Sequence, residues 1–366
     1  IWKFDAGKPN QFQQDGELFA GGFRSIVAIA WNNADDHLYT IMHGRDSLHW
    51  NWPMYYTELE GAILPSEEFF RIKKGDNAGW PYAYWDHLKN KKMQAPEYGG
   101  NGRMEAKDSS YLKPIVSFPG HFAPNDLLFY TGNQFPERYR NGAFIAFHGS
   151  TSSAPYPQAG YFIAFVPFTN GQPSGAWEVF ADGFAGRDTI YNTSDAKYRP
   201  MGLSQGPDGS LYVSETEKGK IWRIMFKGVR EKFGAPALAA MDKRKAEAPN
   251  TKMPDELKDN LDRKDYAPAA RTYNTYCGKC HERNGEGNNR FPPLKGSEWF
   301  AGDIQQPLHI VLNGMEVEMM VRGRRFINTM PAFANVLTDE QLADVLTYVK
   351  TEFNGKERGV SVKEVR

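Results

Sequence analysis

The sequence predicts a multidomain chain: an all-β propeller, present as the later blades of a six-bladed ring, followed by a small all-α domain. Three observations predict this. Strand–turn–strand runs recur through the first 228 residues, a charged stretch rich in alanine and proline follows them, and a strong amphipathic helix lies near the end of the chain. At 366 residues the chain is too long for one small core. Its 14% aromatic content, 35 glycines and 23 prolines suit many short strands joined by turns.

The repeats define the first domain, residues 1–228. "IWKF" (1–4) and "IWRI" (221–224) are near copies, each a short β-type run. Ahead of the second comes "YRPMGLSQGPDGSLYVSETEKGK", in which an arginine, a strand, an Asp-Gly turn at 208–209 and a second strand follow in order. "FRSIVAIAWNNADDHLYTIMHG" (23–44) has the same plan, with Arg24 matching Arg199 and "HLYT" matching "SLYV". A third unit runs from "RNGAFIAFHGS" (140–150) into "AGYFIAFVPF" (159–168). Repeated units of four short strands point to propeller blades, with a β-sandwich as the alternative. If "IWRI" closes a blade, "IWKF" closes one too, so the chain is expected to begin partway round the ring. At roughly 40–50 residues per blade, this stretch supplies about three or four blades and is expected to be the later part of a longer protein.

Residues 229–265 read as a tether with short helical pieces rather than core, residues 266–356 as the second domain and 357–366 as a tail. Both cysteines of the chain lie in "CGKCH", Cys277 to His281. C-x-x-C-H is the attachment signature of a c-type haem: two thiols add to the two vinyl groups of the porphyrin, and the adjoining His281 is placed to ligate the iron. A thioredoxin-like pair needs a βαβ setting and has no use for the histidine, and a zinc site needs more ligands than one cysteine pair. Forty-nine residues after His281 lies "NTMPAF", which makes Met330 the expected sixth ligand. Met315, Met319 and Met320 in "GMEVEMM" are rivals, read instead as core-filling methionines. "TDEQLADVLTYVKTEFNG" predicts a helix with a Thr338–Gln341 capping box, an apolar stripe at Leu342, Val345, Leu346 and Val349, and a stop at Asn354-Gly355. A loop methionine before an amphipathic terminal helix resembles a small monohaem cytochrome c. "FPPLKGSEW" (291–299) resembles the same family, in which a proline carbonyl accepts the free N–H of the proximal histidine; Pro293 is the residue expected in that role.

The first domain also carries a resemblance. "GGFRSIVAIAW", "HGRD", "RIKKGDNAGWPYAYWD", "LLFYTGNQFPERYRNGAFIAFHGS" and "YRPMGLSQGPDGSLYVSETEKGKIWRI" resemble, in order and spacing, the later portion of the glucose/sorbosone dehydrogenase family. These are soluble propeller enzymes that use pyrroloquinoline quinone (PQQ). The resemblance implies that Arg24 and Arg199 point into the central channel and bind the quinone's carboxylates, a task suited to planar guanidinium forks. It further implies a calcium ion held partly by backbone carbonyls at the "HGRD" turn, so Gly44 and Arg45 are candidate ligands, with a carboxylate from Glu67 or Glu68. The chain departs from the family at Ser25, where asparagine is common, and at Ala78, where an aromatic is common. The family's catalytic histidine lies in the earlier half of the propeller, so His43 and His148, which follow strand ends, are the candidate bases here.

The expected activity is therefore PQQ- and calcium-dependent oxidation of a sugar or related alcohol or aldehyde, with electrons passed singly to the haem. A downstream redox protein, quinone or oxidase is the expected acceptor, and the periplasm the expected compartment. The competing expectation is a non-enzymatic docking module that carries an electron-transfer cytochrome. Lysine plus arginine equals aspartate plus glutamate at 44 each, and residues 1–228 come to about −2 against about +2 for the rest. No nucleic-acid partner is expected from that balance. No run of eighteen apolar residues appears, so no transmembrane segment is expected, and no signal peptide opens the chain.

Overall fold

The computed structural model of the chain describes residues 1–187, 189–247, 268–316, 318–356 and 358–365. They form two compact units on either side of residues 248–267, and each is described by itself.

The first unit is built from antiparallel strands. β1 (Trp2–Lys3) pairs with β2 (Glu17–Leu18). The first full blade is a four-stranded meander of β3 (Ser25–Asn32), β4 (His37–His43), β5 (Glu67–Ile72) and, after a long excursion, β8 (Val116–Phe118). Two short helices, α1 (Leu48–Asn51) and α2 (Glu58–Ile63), lie between β4 and β5, and a hairpin of β6 (Ala83–Asp86) and β7 (Lys91–Gln94) occupies the excursion. The second blade is β9 (Pro124–Phe129), β10 (Ala143–Phe147), β11 (Phe162–Val166) and, past the small hairpin of β12 (Phe168–Thr169) and β13 (Gln172–Pro173), β14 (Glu178–Ala181). The third is β15 (Pro200–Gln205), β16 (Leu211–Glu215) and β17 (Ile221–Ile224). The first strands of the three blades, β3, β9 and β15, lie side by side. This is the propeller arrangement the repeats predict, with three blades among the described residues.

Side-chain alternation explains why the blades stack. In β10, Ala143, Ile145 and Phe147 face one core while Phe144 and Ala146 face the other. The same split recurs in β11, where Phe162, Ala164 and Val166 join the first core and Ile163 and Phe165 the second. The first core lies against the first blade through Tyr39, Ile41, Phe69 and Phe118, and the second against the third blade through Leu211 and Val213. A strand apolar on both faces is stable only with a sheet on each side. The Asp-Gly turn forms as expected: Asp208 caps Ser210, and Gly209 sits at φ +81° where a Cβ would lie 2.9 Å from Gln134.

Helix α3 (Ala235–Glu247) occupies the described part of the expected tether, whose remaining residues 248–265 lie outside the described residues. The second unit opens with α4 (Pro268–Thr272), which continues through a wide π turn at Tyr273–Cys277 into α5 (Gly278–His281). It then contains α6 (Gln305–Asn313), a hairpin of β18 (Glu318–Val321) and β19 (Arg324–Ile327), α7 (Asp339–Tyr348) and α8 (Val362–Val365). The capping box closes as predicted, with Gln341 N donating to Thr338 Oγ1 (3.2 Å) and Thr338 N to Gln341 Oε1 (3.0 Å). Leu342, Val345, Leu346 and Val349 are buried. Two features differ from expectation. The unit contains a hairpin and so is not purely helical, and the segment read as a tail packs back: Val360 and Val365 are buried and Val360 N donates to Thr347 Oγ1 (2.8 Å). No helix among the described residues is long and apolar enough to cross a membrane.

Phe147 is buried among the rings of Phe118, Phe122 and Phe162 at centroid distances of 4.9, 5.6 and 5.3 Å. Phe147→Ala is expected to destabilise the first unit by about 3–5 kcal/mol, read from the denaturant midpoint of its tryptophan fluorescence.

Candidate functional site

In the second unit the expected haem residues occupy one helix end and the loops that fold against it. Tyr273 anchors the helix: its ring packs on Tyr348 (5.4 Å) and Phe353 (5.1 Å), and its hydroxyl donates to Glu282 O (2.7 Å). Cys277 closes the widened turn and Cys280 follows on α5. Burial pushes the Cys277 thiol up to about 12 and the Cys280 thiol upward as well. His281 is buried, and burial lowers its pKa, so the imidazole is held neutral. Its Nδ1 lies 2.8 Å from Pro292 O. A carbonyl only accepts, so Nδ1 carries the proton and Nε2 is left as a metal ligand.

That acceptor corrects the sequence reading: it is the carbonyl of Pro292, not of Pro293. The loop explains the shift. Gly287 N donates to His281 O (3.0 Å), Asn288 N to Phe291 O (2.9 Å) and Leu294 N to Gly285 O (2.8 Å). A Cβ on Gly287 would lie 2.4 Å from Phe291 O and 2.7 Å from Pro292 O. The tight turn thus brings the Pro292 carbonyl to the histidine, while Pro293 is buried behind it. Two cysteines spaced for the vinyl groups and a neutral histidine with an anchored Nδ1 fit a covalent c-type haem.

Met330 and Met315 form a two-way backbone bridge, with N–H to carbonyl distances of 2.9 and 2.8 Å. Directly opposed residues share a face, so the structure brings the favoured methionine and one rival together. Met319 and Met320 belong to β18: Met319 faces Phe326 across the hairpin, and Met320 is 52% exposed with its carbonyl accepting from Trp299 Nε1 (3.1 Å). Met320 therefore does not fill a core as expected, while Met319 is half-buried. The Met330 loop is tied to the haem helix through Phe333, whose ring lies 6.0 Å from Tyr276, the neighbour of Cys277.

In the first unit the expected residues gather at one end of the blades, where β3, β9 and β15 begin and β4, β10 and β16 end. Arg24 donates from Nη1 to Gly44 O (2.7 Å), lies 3.5 Å from Asp46 and sits over Trp80 (5.9 Å). Arg199 donates to His148 O (3.2 Å), Gly149 O (2.8 Å) and His148 Nδ1 (2.9 Å), and lies 3.5 Å from Glu217. Both guanidinium groups are therefore held by strand-end carbonyls, and both keep part of their surface open.

The two candidate histidines differ in what their nitrogens do. A guanidinium only donates, so His148 Nδ1 accepts from Arg199 and Nε2–H donates to Thr216 Oγ1 (2.9 Å). Burial, then Arg199 and His43, lower the His148 pKa to about 4. His43 donates from Nε2 to Pro124 O (2.8 Å) and Asn125 Oδ1 (3.1 Å), and its Nδ1 takes no protein hydrogen bond among the described residues.

Of the expected calcium donors, Gly44 O, Glu67 and Glu68 already carry protein partners. Buried Glu67 accepts the backbone N–H of Gly44 at Oε2 (2.8 Å) and of Ala123 at Oε1 (3.1 Å), which ties two strand ends together. Burial raises its pKa. The Gly44 carbonyl faces the Arg24 cation, the Arg45 side chain leaves toward Glu97, and Glu68 pairs with buried Lys92. Asp46, which closes the quoted "HGRD", was the signal passed over. Asp46 is half exposed; partial desolvation favours its neutral form, yet His121 (3.2 Å), Ser152 and Arg24 hold it well below the usual carboxylate range. His121, also held by Gly61 O (3.0 Å), carries no local signature that could have singled it out.

Comparison with known proteins agrees with this division of the chain. A family model described as TrAA12-like matches residues 2–227, and one described as cytochrome C oxidase, cbb3-type, subunit III matches residues 264–349. An uncharacterized protein of Borreliella burgdorferi is 27% identical over 217 residues, covering 58% of this chain and 50% of that protein. A pyrroloquinoline quinone-dependent pyranose dehydrogenase of Coprinopsis cinerea is 26% identical over 251 residues, covering 58% of this chain and 31% of that enzyme. The cytochrome c subunit of a gluconate 2-dehydrogenase from Pantoea cypripedii is 33% identical over 107 residues, covering 28% of this chain and 24% of that subunit. The chain thus spans half or less of the length of the curated relatives it matches. Since the first match takes in well over half of the residues, the protein belongs to the TrAA12-like family, with a cytochrome c domain following the propeller blades.

Proposed function

We propose that this chain is part of a quinohaemoprotein dehydrogenase, oxidising a sugar or related alcohol or aldehyde with PQQ and passing the electrons to a covalently attached c-type haem. The observation that carries the reading is that one polypeptide holds Arg24 and Arg199 at the same end of its blades and also carries a buried C-x-x-C-H histidine with its Nδ1 anchored. When bound, the quinone supplies a two-electron acceptor and the haem a one-electron acceptor.

The chain's own residues then have separable tasks. Arg24 and Arg199 orient carboxylates, since strand-end carbonyls already fix their planes. His43 is the better base of the two candidates: its Nε2–H is pinned by Pro124 O and its Nδ1 is open to take a hydroxyl proton. His148 acts instead as a neutral hydrogen-bonding link between Arg199 and Thr216. Cys277 and Cys280 would attach the haem through thioether bonds, and the His281 imidazole nitrogen and the Met330 sulfur would hold its iron. Covalent haem attachment suits the periplasm or another compartment across the inner membrane, with a further redox protein, quinone or oxidase as acceptor.

The first test is an absorption spectrum of the purified chain followed by addition of PQQ and a panel of aldoses, with and without calcium. Reduction of the haem band by a sugar, dependent on PQQ, is expected. A haem band that no sugar reduces would favour the docking module, and absence of the band would overturn the reading of Cys277–His281.

The arrangement of His148 generates a pH prediction. Its ordinary value is about 6.5 and its folded value about 4, so between these limits the unfolded chain binds a proton that the folded chain does not. Its contribution to stability is complete above the window and lost as pH falls through it. His148→Gln is expected to flatten the acid side of the melting-temperature profile between about pH 6.5 and 4; an unchanged slope would remove this role.

Gly314 generates a prediction about the axial methionine. It has φ +74°, and a Cβ there would lie 2.7 Å from Met330 O and 3.0 Å from Ala332 N. Gly314→Ala is expected to displace the Met330 loop, abolishing the sulfur-to-iron charge-transfer band and lowering the haem potential while the thioether bonds remain. Retention of both signals would show that Met330 is not held this way.

A further inference from the structure

The loop that carries Met330 is held along its length by the segment that carries Met315. Met315 N donates to Met330 O (2.9 Å) and Met330 N to Met315 O (2.8 Å). Two residues that exchange both backbone bonds send their side chains to the same face, with Cβ atoms about 5 Å apart. The ladder continues on the other side of Gly314. Phe333 N donates to Val311 O (2.9 Å) and Ala334 N to Leu312 O (3.3 Å), so the loop satisfies carbonyls that the last turn of α6 leaves without a helical partner. Gly314 itself, at φ +74°, permits the close approach, since a Cβ there would lie 2.7 Å from Met330 O. Phe333 is buried against Tyr276, the neighbour of Cys277, at 6.0 Å, which ties the whole ladder to the haem helix. Met315 and Met330 are both half-buried.

We propose that Met315 is a reserve axial ligand: a second thioether on the face that carries Met330, which holds the haem iron when the Met330 sulfur is withdrawn. The inference rests on the assignment of Met330 as the resident ligand. Every bond that places Met315 is a main-chain bond, so removal of the Met330 side chain leaves its frame standing. Methionine is unbranched and turns about three side-chain bonds, so a sulfur rooted beside Met330 can reach the place its neighbour vacates. The donor is chemically the same soft sulfur, so the iron stays six-coordinate, closed to small gases, and keeps the potential that methionine ligation confers. Met319 and Met320 lack this placement, since Met319 faces Phe326 across the hairpin and Met320 is 52% exposed. The strain from Gly314→Ala acts differently from loss of the Met330 side chain, because it falls on the bridge that positions both sulfurs.

The test uses the full chain with its haem attached. It reads the sulfur-to-iron charge-transfer band of the ferric form and carbon monoxide binding to the ferrous form, with far-UV circular dichroism to confirm that each variant is folded. The wild type is expected to show the band and to resist carbon monoxide. Met330→Ala is expected to keep both properties, because Met315 takes the vacated place. Met330→Ala/Met315→Leu, which keeps apolar bulk at 315, is expected to lose the band and to bind carbon monoxide. Loss of the band in a folded Met330→Ala, with carbon monoxide binding equal to that of the double variant, overturns the proposal and leaves Met315 as an apolar neighbour. Retention of the band in the double variant overturns it too, since the sulfur then comes from elsewhere. So does loss of the band in Met315→Leu alone, which would make Met315 the resident ligand. An attached haem without the band in the wild type overturns the Met330 assignment itself, a failure set apart from the others because it precedes any substitution.

Discussion

Burial of both faces of β10 and β11 is the constraint on which the first unit depends. Each of these strands sends alternate side chains into two different cores, so the second blade cannot be stable without a sheet on either side. The aromatic content concentrates there: Phe144, Phe147, Phe162 and Phe165 are completely buried, Phe147 meets Phe118 of the first blade edge-on, and Phe144 and Phe165 pack tilted against each other. Stacking the blades in this way lays their first strands side by side in one orientation. The residues just before those strands, Arg24, Ala123 and Arg199, then come to the same end as a consequence of packing.

That end is held by polar groups whose burial makes them exacting. Glu67 is inaccessible to water and raised by burial, and it remains tolerable because two backbone N–H groups from two blades converge on it. The bonds tie the strand end beside Arg24 to the strand start beside His43's carbonyl partner at Pro124. Carbonyls of Gly44, His148 and Gly149 in turn hold the two guanidinium groups. The blade end is thus a network in which structural carboxylates and carbonyls fix the directions of the groups that face a ligand. The same economy governs the cytochrome domain, where one backbone carbonyl, Pro292 O, decides the tautomer of His281 and so which nitrogen is left for iron.

Features that depend on short-range spacing were legible from the chain alone. The C-x-x-C-H pentapeptide, the Thr338–Gln341 capping box, the Asp208-Gly209 turn and the blade repeats each place interacting groups within a few residues, so local geometry alone makes them meaningful. Arg24 and Arg199 were legible because the repeat placed them at equivalent points of two blades. Only the tertiary structure decided the rest. Pro292 rather than Pro293 faces His281 because a tight turn at Gly287 sets the carbonyl direction, and a one-residue offset reverses it. His43 and His148 look alike in sequence, and they part company only through partners 81 and 51 residues away. Met315 meets Met330, Val360 meets Thr347, and Arg45 meets Glu97 across intervals that no local pattern encodes. The physical reason is the same in each case: a side chain's type fixes what bonds it can make, but packing of distant strands and loops fixes which partner is close enough to make them.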